Sequence, residues 1–308
     1  MRVPLPAAMI TTSNAVMSLF LFLPRIIGHA LVWTSLFLLV GCSSVRVAYN
    51  QSDTLLYWWV DRYVDLSDEQ KPLTKSALGD LKRWHRAQQL PEYITLLQRM
   101  RGMAERDVTE AEVCSITKDI QASYLRLVDR IEPAATQLLV QLQPHQLRAI
   151  RKRYDATNEE WREEWMDGSA EKRRRDRVKL ANNRLEDFYG RLDSPQRAVI
   201  EGWLANSAFD PAVNYAERLR RQADSLQTFE RMAQLGQPNS TAQGLLHGWI
   251  ERSVESPDAR YRSYSQTLWQ ENCAGFAQLH NSTTAEQRQK LVQALQRYEN
   301  DFRVLMQP

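Results

Sequence analysis

The side chains that most often carry out chemistry in proteins are few and widely spaced in this 308-residue sequence. Beyond residue 42 the histidines are His85, His145, His247 and His280. None of them lies in an H-E-x-x-H motif or in a cysteine-rich ligand spacing, so no metal site is predicted. The sequence also contains no glycine-rich phosphate loop and no G-x-S-x-G motif. We therefore expect no cofactor and name no catalytic residue.

Cys42 follows an apolar run, which raises the question of membrane attachment. Sixteen residues, nearly all apolar or small, separate Arg25 from Cys42. A bilayer-spanning helix needs about 20 such residues. A longer span would carry Pro24, Arg25 and His29 into the hydrocarbon, where a charge is costly. A short apolar region behind an arginine is instead typical of a secretory signal, and an uncleaved signal anchor is the alternative.

The tetrapeptide LVGC, residues 39–42, resembles the lipobox of bacterial lipoproteins. The resemblance implies cleavage before Cys42, followed by lipidation of its thiol and its new amino group, with palmitate among the acyl chains. Ser43 in the next position implies the outer membrane. Several acyl chains make a stable anchor without any spanning helix.

These features divide the chain into three parts. We expect residues 1–41 to be a signal peptide and residues 42–54 to be a lipidated tether. Residues 55–308 then form a single α-helical domain at the periplasmic face of the outer membrane, with a sub-boundary near residue 190. The chain has 40 Lys and Arg against 37 Asp and Glu, and this near balance argues against a nucleic-acid partner.

Cys114 and Cys273 are the thiols that remain once Cys42 is acylated. An even pair in an oxidising compartment favours a disulfide, and closing so long a loop would stabilise the fold by about 4 kcal/mol. Both cysteines fall at the edges of apolar helix faces. Such positions suit a bridge between packed helices, and they suit equally two small apolar side chains that never meet.

Apolar residues recur at helical spacing along most of the chain, and no segment alternates for long enough to predict a strand. The clearest apolar face consists of Val113, Ile116, Ile120, Tyr124, Leu127 and Ile131. Thr109 and Glu112 just before this face form a capping-box pattern, which predicts that a helix begins there. The sequence therefore predicts an all-α multi-helix bundle of helical hairpins.

Two segments of the second half, beginning at Asp193 and Asn239, align without a gap at a period of 46 residues. Their identical pairs are Ser194/Ser240, Gly202/Gly248, Trp203/Trp249, Ser207/Ser253, Pro211/Pro257 and Tyr215/Tyr261. Asp210 and Ser256 precede the paired prolines, which predicts an N-cap and a first-turn proline for a second helix in each segment. We expect a duplicated helical hairpin inside the bundle, because repeat solenoids usually need at least three units.

A five-residue pattern occurs four times. Its copies are LSDEQ at 66–70, LQPHQ at 142–146, LDSPQ at 192–196 and TTAEQ at 283–287. The pattern resembles the L-T-x-x-Q motif of the Spy and CpxP periplasmic proteins, which implies an all-helical, chaperone-like molecule that binds clients without nucleotide. In three copies a capping residue, Ser67, Asp193 or Thr284, precedes a glutamine at the N3 position. Ordinary capping boxes at four helix starts are the structural alternative.

The stretch YNQSDTLLYWWVDRYVDLSDEQK, residues 49–71, resembles the opening of a family of Gram-negative lipoproteins without an assigned function. The resemblance implies an envelope compartment and a helical fold, and it supplies no catalytic residue. The paired Trp58-Trp59 is its most recognisable part, and Leu55, Trp59 and Tyr63 share one helix face. Such an aromatic face suits a membrane interface, but aromatic helices more often pack into a core, and packing is the interpretation that we favour.

A basic cluster lies in the second half of the stretch EEWREEWMDGSAEKRRRDRVK, residues 159–179. It consists of Arg173, Arg174, Arg175 and Arg177. Lipopolysaccharide phosphate or peptidoglycan carboxylate could bind there. In the structural alternative, a turn at 167–169 places acidic side chains of the first helix opposite these arginines, and the exposed pairs set the alignment of the hairpin. The acidic side chains are Glu160, Glu163 and Glu164.

The sequence thus favours an outer-membrane lipoprotein that acts by binding rather than by turnover, as a chaperone or scaffold toward envelope proteins. Its expected partners are the membrane, through the lipid on Cys42, and an envelope protein partner or client. The alternative is a peptidoglycan- or glycan-modifying enzyme, because a catalytic Asp/Glu pair is defined by its separation in space and not in sequence.

Overall fold

The computed structural model describes residues 44–307, and every regular element in this range is helical. The helices are α1 (Ser44–Asn50), α2 (Ser52–Val64), α3 (Gln70–Trp84), α4 (Leu90–Ala104), α5 (Glu110–Leu139), α6 (Pro144–Trp165), α7 (Ala170–Tyr189), α8 (Ser194–Ala205), α9 (Pro211–Leu235), α10 (Ser240–Val254), α11 (Ala259–Asn281) and α12 (Ala285–Met306). A π-helical turn, His85–Gln89, joins α3 to α4. The prediction of an all-α multi-helix bundle is confirmed.

Local capping sets several of the helix starts. The capping box predicted before α5 is present: the Glu112 N–H donates to Thr109 Oγ1 at 3.2 Å, and the Thr109 N–H donates to the Glu112 carboxylate at 2.9 Å. The predicted turn between α6 and α7 is also present. Gly168 adopts a φ of 83°, and Ser169 Oγ accepts the N–H of Lys172 at 3.2 Å. Short-range hydrogen bonds of this kind are readable from sequence.

The apolar face predicted for α5 is buried at the start of the helix, but in the middle of the helix a different side is buried. Val113 and Ile116 are buried as expected, but Tyr124 is exposed and Ser123 is buried in its place. The side-chain amide of Gln89, in the π-helical turn, donates to the Ser123 carbonyl oxygen at 2.7 Å. This contact between segments distant in sequence sets the orientation of the middle of α5.

The buried apolar side chains form two main clusters and a smaller third one. The first cluster draws on α5, α6, α9 and α10, and the second on α4, α7, α8, α11 and α12. The third lies between α5 and α11, and Phe276 packs against both it and the second cluster. The second cluster joins Ala104 to Leu295, so residues on both sides of position 190 share one core.

A disulfide joins Cys114 of α5 to Cys273 of α11 in the third cluster, with Cα atoms 5.4 Å apart. The two cysteines are separated by 159 residues in the sequence. A bridge across so long a loop restricts the unfolded chain, which is the main source of disulfide stabilisation. It also ties the first half of the bundle to the second.

The two segments related by 46 residues each contain a short helix followed by a longer one, α8–α9 and α10–α11. Asp210 caps α9 as predicted, since its carboxylate accepts the N–H of Ala212 at 2.7 Å. The N-cap predicted at Ser256 is wrong, because α11 begins later and is capped by Asp258. The buried hydroxyl of Ser256 donates instead to the carboxylate of Glu217 at 3.1 Å.

The segment expected to be a lipidated tether, residues 42–54, contains α1 and the start of α2 in its described part. The Arg46 guanidinium lies 3.1 Å from the Asp301 carboxylate of α12. The hydroxyl of Tyr49 forms a hydrogen bond of 3.0 Å with Nδ1 of His85. Contacts with distant parts of the chain thus hold α1 on the bundle, and its local sequence does not reveal them.

α4 and α12 pack against each other around the buried carboxylate of Glu299. Gln98 and Arg101 of α4 donate to this carboxylate at 2.9 and 2.8 Å, and Arg303 of α12 donates at 2.8 Å. A buried carboxylate is tolerated when such donors satisfy it. The donors, Arg101 first among them, hold the pKa of Glu299 at about 2.

The close approach of α8 and α11 generates a testable prediction. A Cβ atom added to Gly275 would overlap the indole ring of Trp203, so we expect Gly275→Ala to lower the free energy of unfolding by about 2 kcal/mol. Gly202→Ala is the matched control, because its added methyl group would have no neighbour within 4 Å and alanine favours the helix by up to about 1 kcal/mol. Denaturant unfolding of both variants measures the effect, and equal stabilities would contradict this packing.

Candidate functional site

The four copies of the five-residue pattern each lie at a bend between two helices, so we name them corner boxes. They form the starts of α3, α6, α8 and α12. The glutamine that ends each box is at most 7% exposed. These glutamines are Gln70, Gln146, Gln196 and Gln287. The side chains that made the motif recognisable are therefore inside the protein.

The glutamines of the first and second boxes form a reciprocal pair. Gln70 Nε2 donates to Gln146 Oε1 at 3.3 Å and to the carbonyl oxygen of Gln141 at 3.2 Å. Gln146 Nε2 donates to Gln70 Oε1 at 2.6 Å and to the carbonyl oxygen of Asp65 at 2.9 Å. Each Oε1 also accepts a backbone N–H from the second residue of its own box. Every hydrogen-bonding position of both amides is used.

The glutamines of the third and fourth boxes form the same arrangement. Gln196 Nε2 donates to Gln287 Oε1 at 2.7 Å and to the carbonyl oxygen of Ser282 at 3.1 Å. Gln287 Nε2 donates to Gln196 Oε1 and to the carbonyl oxygen of Arg191, both at 2.9 Å. The backbone N–H groups of the second box residues again complete the two amides.

The two glutamine pairs lie in equivalent surroundings. In both pairs the carbonyls that accept from Nε2 belong to the residue just before a box. The leading N–H of the first box donates to the Asp61 carboxylate at 3.1 Å, and that of the third box donates to Glu186 at 3.2 Å. Contacts of α2 with α6 and of α3 with α5 correspond to those of α7 with α12 and of α8 with α11. One crossed arrangement of four helices therefore occurs twice.

Departures from the pattern fit the same arrangement. Gln143 stands where Ser or Thr is expected, yet it still forms a capping box with Gln146. Thr283 replaces the leading leucine and is buried as the leucines are, while its hydroxyl donates to the His280 carbonyl oxygen at 2.6 Å. The boxes act as structural corners, as the capping alternative predicts, and their glutamines have no group left for a client.

The imidazole of His280 is also used by the fold. Its Nε2 lies 2.8 Å from the carbonyl oxygen of Arg106, and its Nδ1 lies 2.8 Å from the hydroxyl of Tyr189. Because a carbonyl only accepts, Nε2 carries the hydrogen and Nδ1 accepts from the hydroxyl. Burial lowers the pKa of His280 and raises the pKa of Tyr189. These groups link α7 and α11 to the loop before α5.

Several exposed apolar side chains, including the two exposed tryptophans, form a stripe along α1 and α2, which we name the N-terminal stripe. It consists of Val47, Leu55, Trp58, Trp59 and, at its end, Arg62. Trp58 and Trp59 are both 57% exposed, so the interpretation that they pack into the core is wrong. Tyr63 is half-buried, and its ring centroid lies 4.6 Å from that of Trp59. On the opposite side of α2, Val64 packs against the first cluster.

The predicted basic cluster is only partly available to a ligand. Arg173 donates to backbone carbonyls of the turn before α7, and Arg175 pairs with Glu171 one helical turn earlier. The Arg177 guanidinium lies 4.2 Å from the ring centroid of Phe209, and burial lowers its pKa. Arg174 is exposed. These side chains do not converge on a common binding point.

The pairing predicted across the α6–α7 hairpin is wrong. Among the described residues, no ion pair joins Glu160, Glu163 or Glu164 to the arginines of α7. The reason is that the two helices pack on different neighbours. α6 contacts α2 and α9, whereas α7 contacts α8 and α12.

A shallow groove between α8 and α11 contains one carboxylate, that of Glu271. This carboxylate accepts the hydroxyl of Ser207 at 3.0 Å and the N–H of Ala208 at 3.0 Å, so it caps the loop between α8 and α9. Within residues 44–307 no three His, Cys, Asp or Glu side chains are grouped as metal ligands would be.

Buried charges were not predicted from the sequence, and Glu217 is a second example besides Glu299. Glu217 of α9 accepts hydrogen bonds from Arg220 at 2.8 Å and Arg221 at 2.7 Å, besides the Ser256 hydroxyl. Burial opposes ionisation, but the two guanidinium groups outweigh it and lower the pKa of Glu217. The i, i+3 and i+4 spacing of these side chains is visible in the sequence, whereas their burial is not.

Cys42, the predicted lipidation site, lies outside the described residues. From residue 44 to residue 307, no helix has both the length and the apolar character needed to cross a bilayer.

Comparison with known proteins identifies a family for this chain. A family model described as "Family of unknown function (DUF6279)" matches residues 62–248, which is more than half of the chain. The match contains the first three corner boxes and ends in α10. No curated protein and no solved structure matches the chain.

The glutamine pairs generate a second prediction. Gln196→Leu removes two of the four hydrogen bonds of the Gln287 amide and leaves the Ser282 carbonyl and the Asp193 N–H without these partners, so we expect it to lower the free energy of unfolding by about 3 kcal/mol. Gln293→Leu, at an exposed position of α12, should change it by no more than about 0.5 kcal/mol.

A double variant tests the coupling directly. The double variant Gln196→Leu/Gln287→Leu should lose less stability than the two single variants added together. The reason is that each single change already removes hydrogen bonds from the other amide. Strict additivity in urea unfolding would mean that the two side chains do not depend on each other.

Proposed function

The chain belongs to DUF6279, a family of unknown function, and we propose that it is a lipoprotein, anchored at the periplasmic face of the outer membrane, that acts by binding as a scaffold. The observation that carries the proposal is the N-terminal stripe, because its exposed tryptophans begin shortly after the lipobox-like sequence that ends at Cys42. Exposed apolar side chains that are grouped in one patch typically mark an interaction surface.

Two further features support an anchored protein outside the cytoplasm. The apolar run before Cys42 is short and ends in small residues, as in a secretory signal. The Cys114–Cys273 disulfide is of the kind that persists in oxidising compartments such as the periplasm.

A scaffold agrees with the geometry better than a client-cradling chaperone does. The resemblance to Spy and CpxP rests on the corner boxes, and their glutamines are buried and fully hydrogen-bonded. The disulfide and the two glutamine pairs cross-link helices far apart in sequence, which favours one rigid body. A rigid body on a lipid anchor can hold a partner at a set distance from the membrane.

The anchor is tested by changing its thiol. Cys42→Ala should abolish incorporation of labelled palmitate and leave an unprocessed or soluble precursor, because Cys42 supplies the groups to which the acyl chains attach. Cys114→Ala/Cys273→Ala serves as the control, since it removes the other two cysteines and should keep the label. Labelling that persists in Cys42→Ala would refute Cys42 as the acylation site.

The scaffold and the chaperone predict different behaviour toward unfolded proteins. We expect residues 43–308, at several-fold molar excess and without ATP, to leave the aggregation of a denatured envelope protein unchanged in light scattering. Suppression that disappears in Trp58→Ser/Trp59→Ser would instead identify the N-terminal stripe as a client-binding surface.

A further inference from the structure

The N-terminal stripe holds more exposed apolar surface than folding explains. Of the ten large hydrophobic side chains exposed in the described chain, four belong to the stripe and a fifth, Leu56, lies next to it. Scattered exposed apolar residues are ordinary, but a concentration of them on one short segment indicates a surface that is covered in the working protein.

α1 and α2 present this surface along one line. Gln51 N donates to the Val47 carbonyl oxygen at 3.2 Å, and Leu55 N donates to the Gln51 carbonyl oxygen at 2.9 Å, so helical hydrogen bonding continues from one helix to the next. Leu55, Trp58, Trp59 and Arg62 then follow at helical i, i+3, i+4 and i+7 spacing.

Contacts on the other side of α2 fix the direction in which the stripe faces. The Lys75 ammonium lies 4.5 Å from the ring centroid of Tyr57, Asp61 accepts the N–H of Leu66 at 3.1 Å, and Val64 packs against the first cluster. Because α2 cannot rotate without breaking these contacts, the stripe is held outward with its tryptophans exposed.

The position of the stripe in the chain indicates what covers it. Ser44, the first described residue, comes two positions after Cys42, whose proposed acyl chains are inserted in a bilayer. At about 1.5 Å per residue, the helical path from Val47 to Trp59 measures about 18 Å. That length is too short to span a bilayer, but it suits a helix lying along the membrane surface.

The chemistry of the stripe matches the same surface. Tryptophan concentrates where hydrocarbon meets headgroups, and the exposed Arg62 at the end of the stripe can meet a lipid phosphate. The anchor also keeps the bilayer beside the stripe at high effective concentration, which is an advantage that no soluble partner has.

We infer that the N-terminal stripe docks on the phospholipid leaflet in which Cys42 is anchored and thereby fixes the orientation of the bundle on the membrane. The inference rests on the proposed function, since it takes the anchor at Cys42 as given. With the stripe in the headgroup region, the bundle has one defined orientation relative to the membrane. Without this docking it could rotate freely about the lipidated Cys42.

The test uses the acylated full-length mature protein in vesicles of phosphatidylethanolamine and phosphatidylglycerol. Phospholipids brominated near the headgroup end of their acyl chains quench tryptophans that enter the interface. We expect these lipids to quench the wild-type protein, and Trp58→Ser/Trp59→Ser to lose most of that quenching. The quenched emission should lie to the blue of the emission from the same protein in detergent-free buffer after enzymatic removal of the lipid.

A second variant tests docking without removing any tryptophan. Leu55→Asp places a charge in the stripe and should reduce quenching to the level of the double tryptophan variant. Leu219→Asp is its matched control, because Leu219 is exposed to a similar extent (41% against 39%) on α9. It should leave quenching unchanged.

The outcomes separate docking from anchoring. Protein that does not float with the vesicles would overturn the anchor and the docking with it, whereas protein that floats with unquenched tryptophans would overturn the docking alone. Tryptophans that are unquenched by lipid but become protected from acrylamide as protein concentration rises would assign the stripe to a second copy of the chain. Equal loss of quenching in Leu55→Asp and Leu219→Asp would also contradict the inference.

Discussion

The reciprocal hydrogen bonding of glutamine side chains at the four bends is the interaction on which the rest of the structure depends. A buried primary amide destabilises a protein unless its donors and acceptors are satisfied. Here each amide finds its partners in another box and in the backbone just before that box. The pairing therefore fixes which bends meet and how the four helices around them cross. The two main apolar clusters then form beside residues such as Leu142 and Leu192, which belong to the boxes themselves.

The repeated crossing explains how twelve α-helices in series, all within residues 44–307, form one body. Each crossing joins segments separated by more than 70 residues, and the disulfide between α5 and α11 connects the two halves again. Buried charges add specific contacts between particular helices, as Glu299 does between α4 and α12. Such groups contribute orientation as much as stability, because a shifted helix would leave them unpaired. These cross-links fix the direction of each helix relative to the others, so the direction of α2 is fixed relative to the whole bundle.

The N-terminal stripe is an apolar surface that is not packed against the rest of the bundle. Its tryptophans stay exposed because the other face of α2 carries the contacts to the bundle. A helix with one face packed and one exposed apolar face is stabilised when a second surface covers the exposed face. The proposed acyl anchor places a bilayer next to it, which connects a compartment signal in the sequence to a surface in the structure.

The amino-acid sequence by itself determined the helical class, the capping boxes at Thr109, Asp193 and Thr284, and the turn at Gly168, because all of these depend on residues within four positions of one another. It also contains the lipobox-like signal and the cysteines Cys114 and Cys273. It does not show that these two cysteines form a disulfide. Only the tertiary structure decided that the corner boxes pair, that α1 packs on the bundle, that Trp58 and Trp59 face outward, and that α6 and α7 diverge. The period of a helix shows which residues share a face, whereas the neighbour that this face meets is fixed by contacts between residues dozens of positions apart.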